Sequence, residues 1–423
     1  MKNALVVIAA LAAAGPALAT NGMRMPGFGP VQNSMAGVGV GATLDTSSIV
    51  SNPAGLTGLP AQISLGGTYF KPSVSYSATE AQLPQGFAGA VVAQPGVKID
   101  SQRGASPIPS LVVVSPVSED LVAGIGVFGI SGMGVDYGAN LYGGSTYTSY
   151  LQARLTPALA YKVTDSLSLG VAVNAMAAQV GWNTAAGFGQ QPHGTSTSYG
   201  IGATAGAKLA LTGWLALGAA YESRSWFRDY SFEVAAHQGV DPATFQPLQI
   251  PAGTDKLSFD QPMSAAVGFV LTPVDSFLFA GDVQWINWSA TNGENRPVFS
   301  QNQSGAMPWD LGWSDQWVFK VGVQVAPTDK LRVRAGYNYG KMPLDPHCAF
   351  ENLAFPAVSE HHFALGAGYD FGRLTLNAGA SYSPKATLSG SNADLPANGG
   401  QAIQSYTTEM SQVAFDAGLT WRL

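Results

Sequence analysis

From residue 61 to the C-terminus the sequence alternates apolar with small or polar side chains at a period of two, segment after segment. In the last segment Phe415, Ala417, Leu419, Trp421 and Leu423 share one face, and Asp416, Gly418, Thr420 and Arg422 share the other. Leu374, Leu376, Ala378, Ala380 and Tyr382 oppose Arg373, Thr375, Asn377, Gly379 and Ser381 in the same way. Leu331, Val333, Ala335 and Tyr337 likewise oppose Arg332, Arg334, Gly336 and Asn338. Successive side chains of a strand point to opposite faces, so each segment has one face for an apolar medium and one for a wetter one.

The pattern gives fourteen strands, at 61–78, 106–114, 121–130, 149–163, 167–180, 199–211, 214–228, 256–271, 276–288, 316–325, 330–340, 360–370, 373–383 and 409–423. Their connections alternate in length. Short ones carry turn chemistry, as in Thr164-Asp165-Ser166, Thr212-Gly213 and Phe371-Gly372; long polar ones fall at 79–105, 131–148, 181–198, 229–255, 289–315, 341–359 and 384–408. An even number of strands with short turns at one end and long loops at the other is the arrangement of an outer-membrane β-barrel. Trp285, Trp317, Tyr161, Tyr221, Tyr339 and Tyr369 fall near strand ends, where an interfacial aromatic girdle belongs.

Composition agrees. Charged residues are 11% of the chain, against about 25% in ordinary globular proteins. No stretch after the N-terminus approaches the ~18 consecutive apolar residues of a membrane helix; the longest, Leu121 to Ile130, holds three glycines. A single cysteine, Cys348, excludes an intrachain disulfide framework. The net charge of −6 contains no basic run of the kind that binds nucleic acid.

The N-terminus reads as a leader. Met1-Lys2-Asn3 is followed by apolar Ala4 to Ala14 and by Ala17-Leu18-Ala19, the small-x-small pattern of signal-peptide cleavage. Residues 1–19 are therefore expected to be removed, with cleavage after Ala19, leaving 20–60 as a Gly-rich segment without a long strand and 61–423 as the barrel. A simple porin has no use for residues 20–60, so they are expected to plug the lumen.

That segment resembles the hatch of the FadL family of outer-membrane transporters for long-chain fatty acids and hydrocarbons. The resemblance lies in Asn33-Ser34-Met35-Ala36-Gly37-Val38-Gly39, Asp45, and Asn52-Pro53-Ala54-Gly55-Leu56. It continues through Pro157 to Tyr161, Leu167 to Gly170, Asp282 to Trp288, Trp313 to Trp317, and Arg334-Ala335-Gly336-Tyr337 with Met342-Pro343. The resemblance implies a monomeric fourteen-stranded barrel with an N-terminal hatch, no cofactor, and passive passage of a hydrophobic ligand. It also implies capture among external loops, an inner pocket beside the hatch, and a lateral exit to lipid at an inward kink of the third strand. The terminus Trp421-Arg422-Leu423 departs from the terminal Phe common among such barrels.

Several residues are candidates for function. Asn52, Pro53 and Ala54 are expected to position the hatch, Asn by bonding backbone and Pro by fixing chain direction. Gly124, Gly126 and Gly129 in the third strand match GxGxxG but lack the following helix of a dinucleotide site. Glycines in a strand permit bends, so these three are the candidates for the kink. Arg334, with Arg154, Lys320, Arg332 and Arg373, offers lumen cations for a carboxylate; equally, these can pair with Asp282, Asp370 and Asp416 to anchor the hatch. Trp182, Trp226, Phe227, Phe232 and Phe245, at strand ends or in long loops, are candidates for ligand capture. His347, Cys348, His361 and His362 lack the spacing of a zinc site, and no nucleophile motif marks an enzyme. A general diffusion porin or structural barrel is the alternative reading, and the sequence does not choose between fatty acids and aromatic hydrocarbons.

Overall fold

The computed structural model describes residues 21–80, 97–138, 146–184, 193–240, 247–294, 298–301, 305–308, 311–349, 351–390 and 405–423. The expected leader and Phe245 lie outside the described residues. Fourteen long strands follow in chain order. They are β1 (Gln62–Glu80), β2 (Ser106–Pro116), β3 (Leu121–Met133), β4 (Thr146–Lys162), β5 (Leu167–Thr184), β6 (Gly194–Ala210) and β7 (Leu215–Glu222). There follow β8 (Ser264–Val274), β9 (Phe277–Ile286), β10 (Gln316–Val325), β11 (Leu331–Gly340), β12 (His361–Asp370), β13 (Leu374–Gly390) and β14 (Ser405–Arg422). Each pairs antiparallel with its neighbours in sequence, and β14 returns to β1, Arg422 opposite Gln62, so the sheet closes on itself. Closure gives every strand of the wall a neighbour on both sides, so the sheet has no outer edge strand.

The alternation decides which face goes where. Leu159, Val171, Val267 and Leu365 stand half to two-thirds exposed on the outside, whereas Arg154, Asn174, Asn338 and Asp416 on the alternate positions are buried inside. Trp317, Tyr161, Tyr221 and Tyr369 are exposed on the outer face near strand ends, where an amphipathic ring meets the membrane interface.

Two strand assignments change. The run 256–271 is not one strand: Gly253–Ser258 belongs to a separate four-stranded sheet with Tyr230–Val234, Val298–Gln301 and Gly305–Pro308. Pro262, which has no N–H for a ladder, separates it from β8. The run 214–228 stops at Glu222 for the barrel, and Trp226–Phe227 forms only a short pairing with β6. The two loops expected as irregular at 229–255 and 289–315 thus hold a sheet of their own at the end with long connections.

Residues 21–60 lie within the closed sheet. Gly29–Asn33 and Ser48–Ser51 are short helices, and Pro53–Gly58 is a 3-10 turn. Inward-facing glycines set how closely this segment meets the wall. A Cβ on Gly170 would lie 2.3 Å from Ala54 N, one on Gly206 2.1 Å from Asn52 Oδ1, one on Gly218 2.0 Å from Val40 O, and one on Gly336 2.3 Å from Met35 C. Real Cβ atoms do not approach so near, so these strands must be bare where the segment touches them.

Candidate functional site

The wall has a break in its pairing between β2 and β3, at the end with long connections. The β2–β3 ladder ends at Ser110 opposite Phe128. Beyond it, Ser106 to Pro109 pair only with β1, and β3 continues against β4 with a register shift between Gly129 and Ser131. The freed edge of β3 is taken by the N-terminal segment. Arg24 bridges to Ser131, Met25 N donates to Ile130 O at 3.2 Å, and Gly132 N donates to Met23 O at 3.3 Å. Ser131 Oγ also donates to Met23 O, at 2.5 Å. Ile130, Met133 and Val135 are all buried.

The turn that delivers Met23–Met25 is tight. Asn21 and Arg24 exchange backbone bonds of 3.0 and 3.2 Å, and Gly22 has φ of 65° with the Trp288 ring 2.6 Å from where a Cβ would stand. A side chain there would be both strained and obstructed.

Of the three candidate kink glycines, Gly129 lies where β3 leaves β2. Gly124 and Gly126 remain in regular register with Val114 and Val112. Gly124 instead makes room for Ile49 and Leu56 of the N-terminal segment, at 3.1 and 3.4 Å from its would-be Cβ. The would-be Cβ of Gly129 lies 2.6 Å from Ile108 Cγ2, so Ile108 fills the unpaired part of the wall.

The candidate cations are held by different partners. Arg154 Nη1 donates to Glu222 at 2.8 Å, and Arg24 Nη2 reaches the same carboxylate at 2.5 Å while its Nη1 donates to Ser264 Oγ at 3.0 Å. Lys320 donates to the carbonyls of Pro26 at 2.9 Å and Gly37 at 3.3 Å. Arg334 is clasped by Gln324 at 2.7 Å and Asn377 at 3.0 Å. Beneath it burial raises the Asp45 carboxyl above the ordinary range, opposed by the Ser47 hydroxyl and amide and by the charge of Arg334. Arg154 differs from the others. It is almost fully buried, and its Nε and Nη2 have no partner among the described residues, nor do Thr156 Oγ1 and Asn174 Oδ1 beside it.

Two of the acids hold the segment as Lys320 does. Asp282 accepts from three consecutive amides, Gly39 at 2.7 Å, Val40 at 3.0 Å and Gly41 at 3.4 Å. Asp416 accepts from Asn33 Nδ2 at 2.6 Å and Thr68 Oγ1 at 2.5 Å. Asp370 sits at the barrel rim, paired with Arg422 at 2.8 Å. Asn52 Nδ2 donates to Val40 O at 2.8 Å and to Ala207 O of β6 at 3.0 Å, and its Oδ1 caps Ala54 N at 3.2 Å. Pro53 opens the following 3-10 turn. Arg24 and Glu222 are the residues the sequence did not single out.

Above the break lies a buried aromatic cluster containing Tyr76, Tyr137, Tyr150, Tyr230, Phe232, Phe259, Trp288 and Trp313. Phe232 packs edge-on to His193 at 5.6 Å, which in turn meets Trp182 at 6.0 Å, and Phe227 stacks on Tyr230 at 6.3 Å. Trp226 is a correction: it is 56% exposed, on the same outer face as Ile201, its partner on β6, and so stands away from this cluster. Between the N-terminal segment and the wall at β6 to β10 a small cavity of about 60 Å³, lined by Asn21, Arg24, Phe28, Glu222 and Lys320 among others, is large enough for water and too small for a hydrophobic ligand. His361 and His362 fall on opposite faces, the first bonded to Tyr337 Oη at 2.7 Å, the second buried inside.

Comparison with known proteins supplies the frame for this geometry. The family model "Outer membrane protein transport protein (OMPP1/FadL/TodX)" matches residues 5–422. Outer membrane protein P1 of Haemophilus influenzae is 31% identical over 181 residues, which is 38% of this chain and 38% of that protein. The toluene transporter TodX of P. putida superposes with a TM-score of 0.74 at 17% identity, covering 94% of this chain and 99% of that one. A Pseudomonas aeruginosa FadL homologue gives 0.74 at 18%, covering 95% and 99%. The Ralstonia pickettii toluene transporter TbuX gives 0.68 at 18%, covering 94% and 99%. Matched along nearly its whole length by that model and closed into the same barrel, the chain belongs to the OMPP1/FadL/TodX family of outer-membrane transport proteins.

Proposed function

We propose that this protein carries hydrophobic small molecules, long-chain fatty acids or aromatic hydrocarbons, passively from the cell exterior into the outer membrane. Residues 21–60 act as a hatch, and the ligand leaves sideways through the wall between β2 and β3. The observation that carries this reading is the substitution at the break: the ladder stops at Phe128, and Met23–Met25 occupy the edge that β2 leaves free. Three backbone-pairing residues are easily exchanged for solvent or ligand, whereas a continuous ladder between strands is not. Release to lipid also suits the cargo, since each CH₂ kept from water is worth about 0.8 kcal/mol.

In this reading Phe232, Trp182 and Phe227 receive the ligand from outside, because a buried aromatic cluster under external loops has no duty to the barrel itself. Replacing Phe232 and Trp182 together by Ser should lower ligand uptake severalfold while the barrel keeps its heat-modifiable gel mobility. Unchanged uptake would remove these residues from the path. Arg154, with two donors to spare, is the cation suited to a ligand carboxylate. Lys320 and Arg334 are committed to the hatch carbonyls and to Gln324 and Asn377.

Two measurements test the function. Mass spectrometry of the detergent-solubilised protein should find an apolar molecule bound in stoichiometric amount. Deleting residues 20–59 should raise single-channel conductance in planar bilayers from near zero to that of an open pore. An intact protein that already conducts as a porin contradicts the proposal.

A further inference from the structure

The outer face carries a basic patch that the transport path does not use. On β1, Lys71 is exposed one outward position beyond Tyr69, and on β13 Lys385 is exposed just beyond Tyr382. Lys98, leading into the short strand Ile99–Asp100 that pairs with Tyr76 and Ser75 of β1, stands half exposed farther along the same strand than Lys71. Lys98 and Lys385 both reach Glu409 of β14, at 2.7 and 3.1 Å. Among the described residues Asp100 is the other acid acting on Lys98, so here three lysines face two acids. Lys71 has no ion-pair partner among the described residues. Thr195 and Thr197, exposed on β6 at the same end of the barrel, are neutral.

The level of the patch gives its meaning. Tyr69, Phe415, Tyr382 and Phe363 form a belt on β1, β14, β13 and β12, each about half exposed. Tyr69 stands directly opposite Phe415, and Phe363 opposite Tyr382. Exposed aromatics of this kind mark the membrane–water boundary. Phe363 is at the end of β12 that bears a long loop, and Tyr382, Phe415 and Tyr69 stand within two residues of its level along the ladders; long loops face the cell exterior. The lysines therefore stand at the headgroup level of the outer leaflet, with apolar stems against the belt and ammonium groups at its upper edge.

We propose that Lys71, Lys98 and Lys385 form a binding site for the phosphate groups of the phosphorylated glycolipid of the outer leaflet, its acyl chains lying against the aromatic belt. A lysine without an ion-pair partner, four residues along β1 from the level of a pair that shares one carboxylate, leaves uncompensated positive charge where the leaflet presents phosphate. Basic residues at a membrane surface each strengthen binding of anionic lipid by roughly fivefold. This site is independent of the hatch and of the lateral exit.

The test uses the full-length protein in detergent with bisphosphorylated lipid A as probe, followed by native mass spectrometry. Wild type should retain the lipid, and the variant Lys71→Ser/Lys98→Ser/Lys385→Ser should hold it about a hundredfold more weakly. Heat-modifiable mobility confirms that the variant barrel is folded, and Lys→Arg at the same positions should restore retention. Equal retention by the serine variant overturns the proposal. So does equal retention by wild type of the dephosphorylated glycolipid, or displacement of lipid A by an equimolar amount of inorganic pyrophosphate.

Discussion

Replacing Asp282 by Ala should unseat the hatch and turn a closed barrel into a conducting one. The carboxylate accepts from the amides of Gly39, Val40 and Gly41, and it is buried where water cannot replace it. Hydrogen bonds to a charged group contribute about 1.5–3 kcal/mol each, and three buried N–H groups left without an acceptor add their own desolvation cost. Lys320, opposite Asp282 across the ladder, would also lose the nearest opposing charge. The barrel does not depend on these bonds, because its ladders run strand to strand. Gel mobility should thus stay native while single-channel conductance rises and limited proteolysis begins to cut between residues 21 and 60. Asp282→Asn keeps an acceptor and should show a smaller rise. A silent, protease-resistant D282A variant would mean that the glycine contacts alone hold the hatch.

The second large effect should follow from Glu222→Ala. Glu222 is the only acid bonded to both Arg24 and Arg154 among the described residues, at 2.5 and 2.8 Å. Removing one partner of a buried ion network leaves uncompensated charge and costs about 3–5 kcal/mol. Here the loss falls on two cations, one on the fixed wall and one on the N-terminal turn. The turn is the part free to move. Arg24 should leave, and with it the pairing of Met23–Met25 to β3. Hydrogen exchange should then show lost protection at Met25 and Gly132, whose N–H groups make those bonds, with β3 below Phe128 still protected. Ligand passage should increase, since the edge is vacant. Unaltered protection at Met25 would show that the backbone bonds hold without the ion network.

Much of this was readable from the sequence because a barrel writes itself in parity. The outward set Phe415 to Leu423 and the inward set around Asn377 and Arg334 need no tertiary information. Strand number and order followed from the turns. The two misassigned strands failed where alternation continues into an external sheet, and Pro262 was the signal that could have separated Gly253–Ser258 from β8. The glycines fared worse. Gly206, Gly218 and Gly336 face inward by parity, yet in a period-two pattern a glycine reads as filler rather than as a place kept bare for Asn52, Val40 or Met35. Gly124 misled for the same reason: its bareness serves Ile49 and Leu56. The Arg24–Glu222–Arg154 network was not legible at all. Its members come from the hatch, β7 and β4, and only closure of the barrel brings them together.

The central claim is that ligand leaves through the wall where Met23–Met25 stand in for β2. It is tested most directly by fixing them there. Met25 N donates to Ile130 O at 3.2 Å, beside the Arg24–Ser131 bridge, so the two residues face each other at a separation a disulfide can span. The native Cys348 is buried in the loop 341–359 and does not compete. The measurement is uptake of a radiolabelled hydrophobic ligand by cells carrying Met25→Cys/Ile130→Cys, before and after reduction. Uptake should be abolished when the disulfide is formed and return to the wild-type rate when it is reduced. A cross-linked protein that transports as fast as the reduced one would contradict lateral exit at β3 and place the route elsewhere in the barrel.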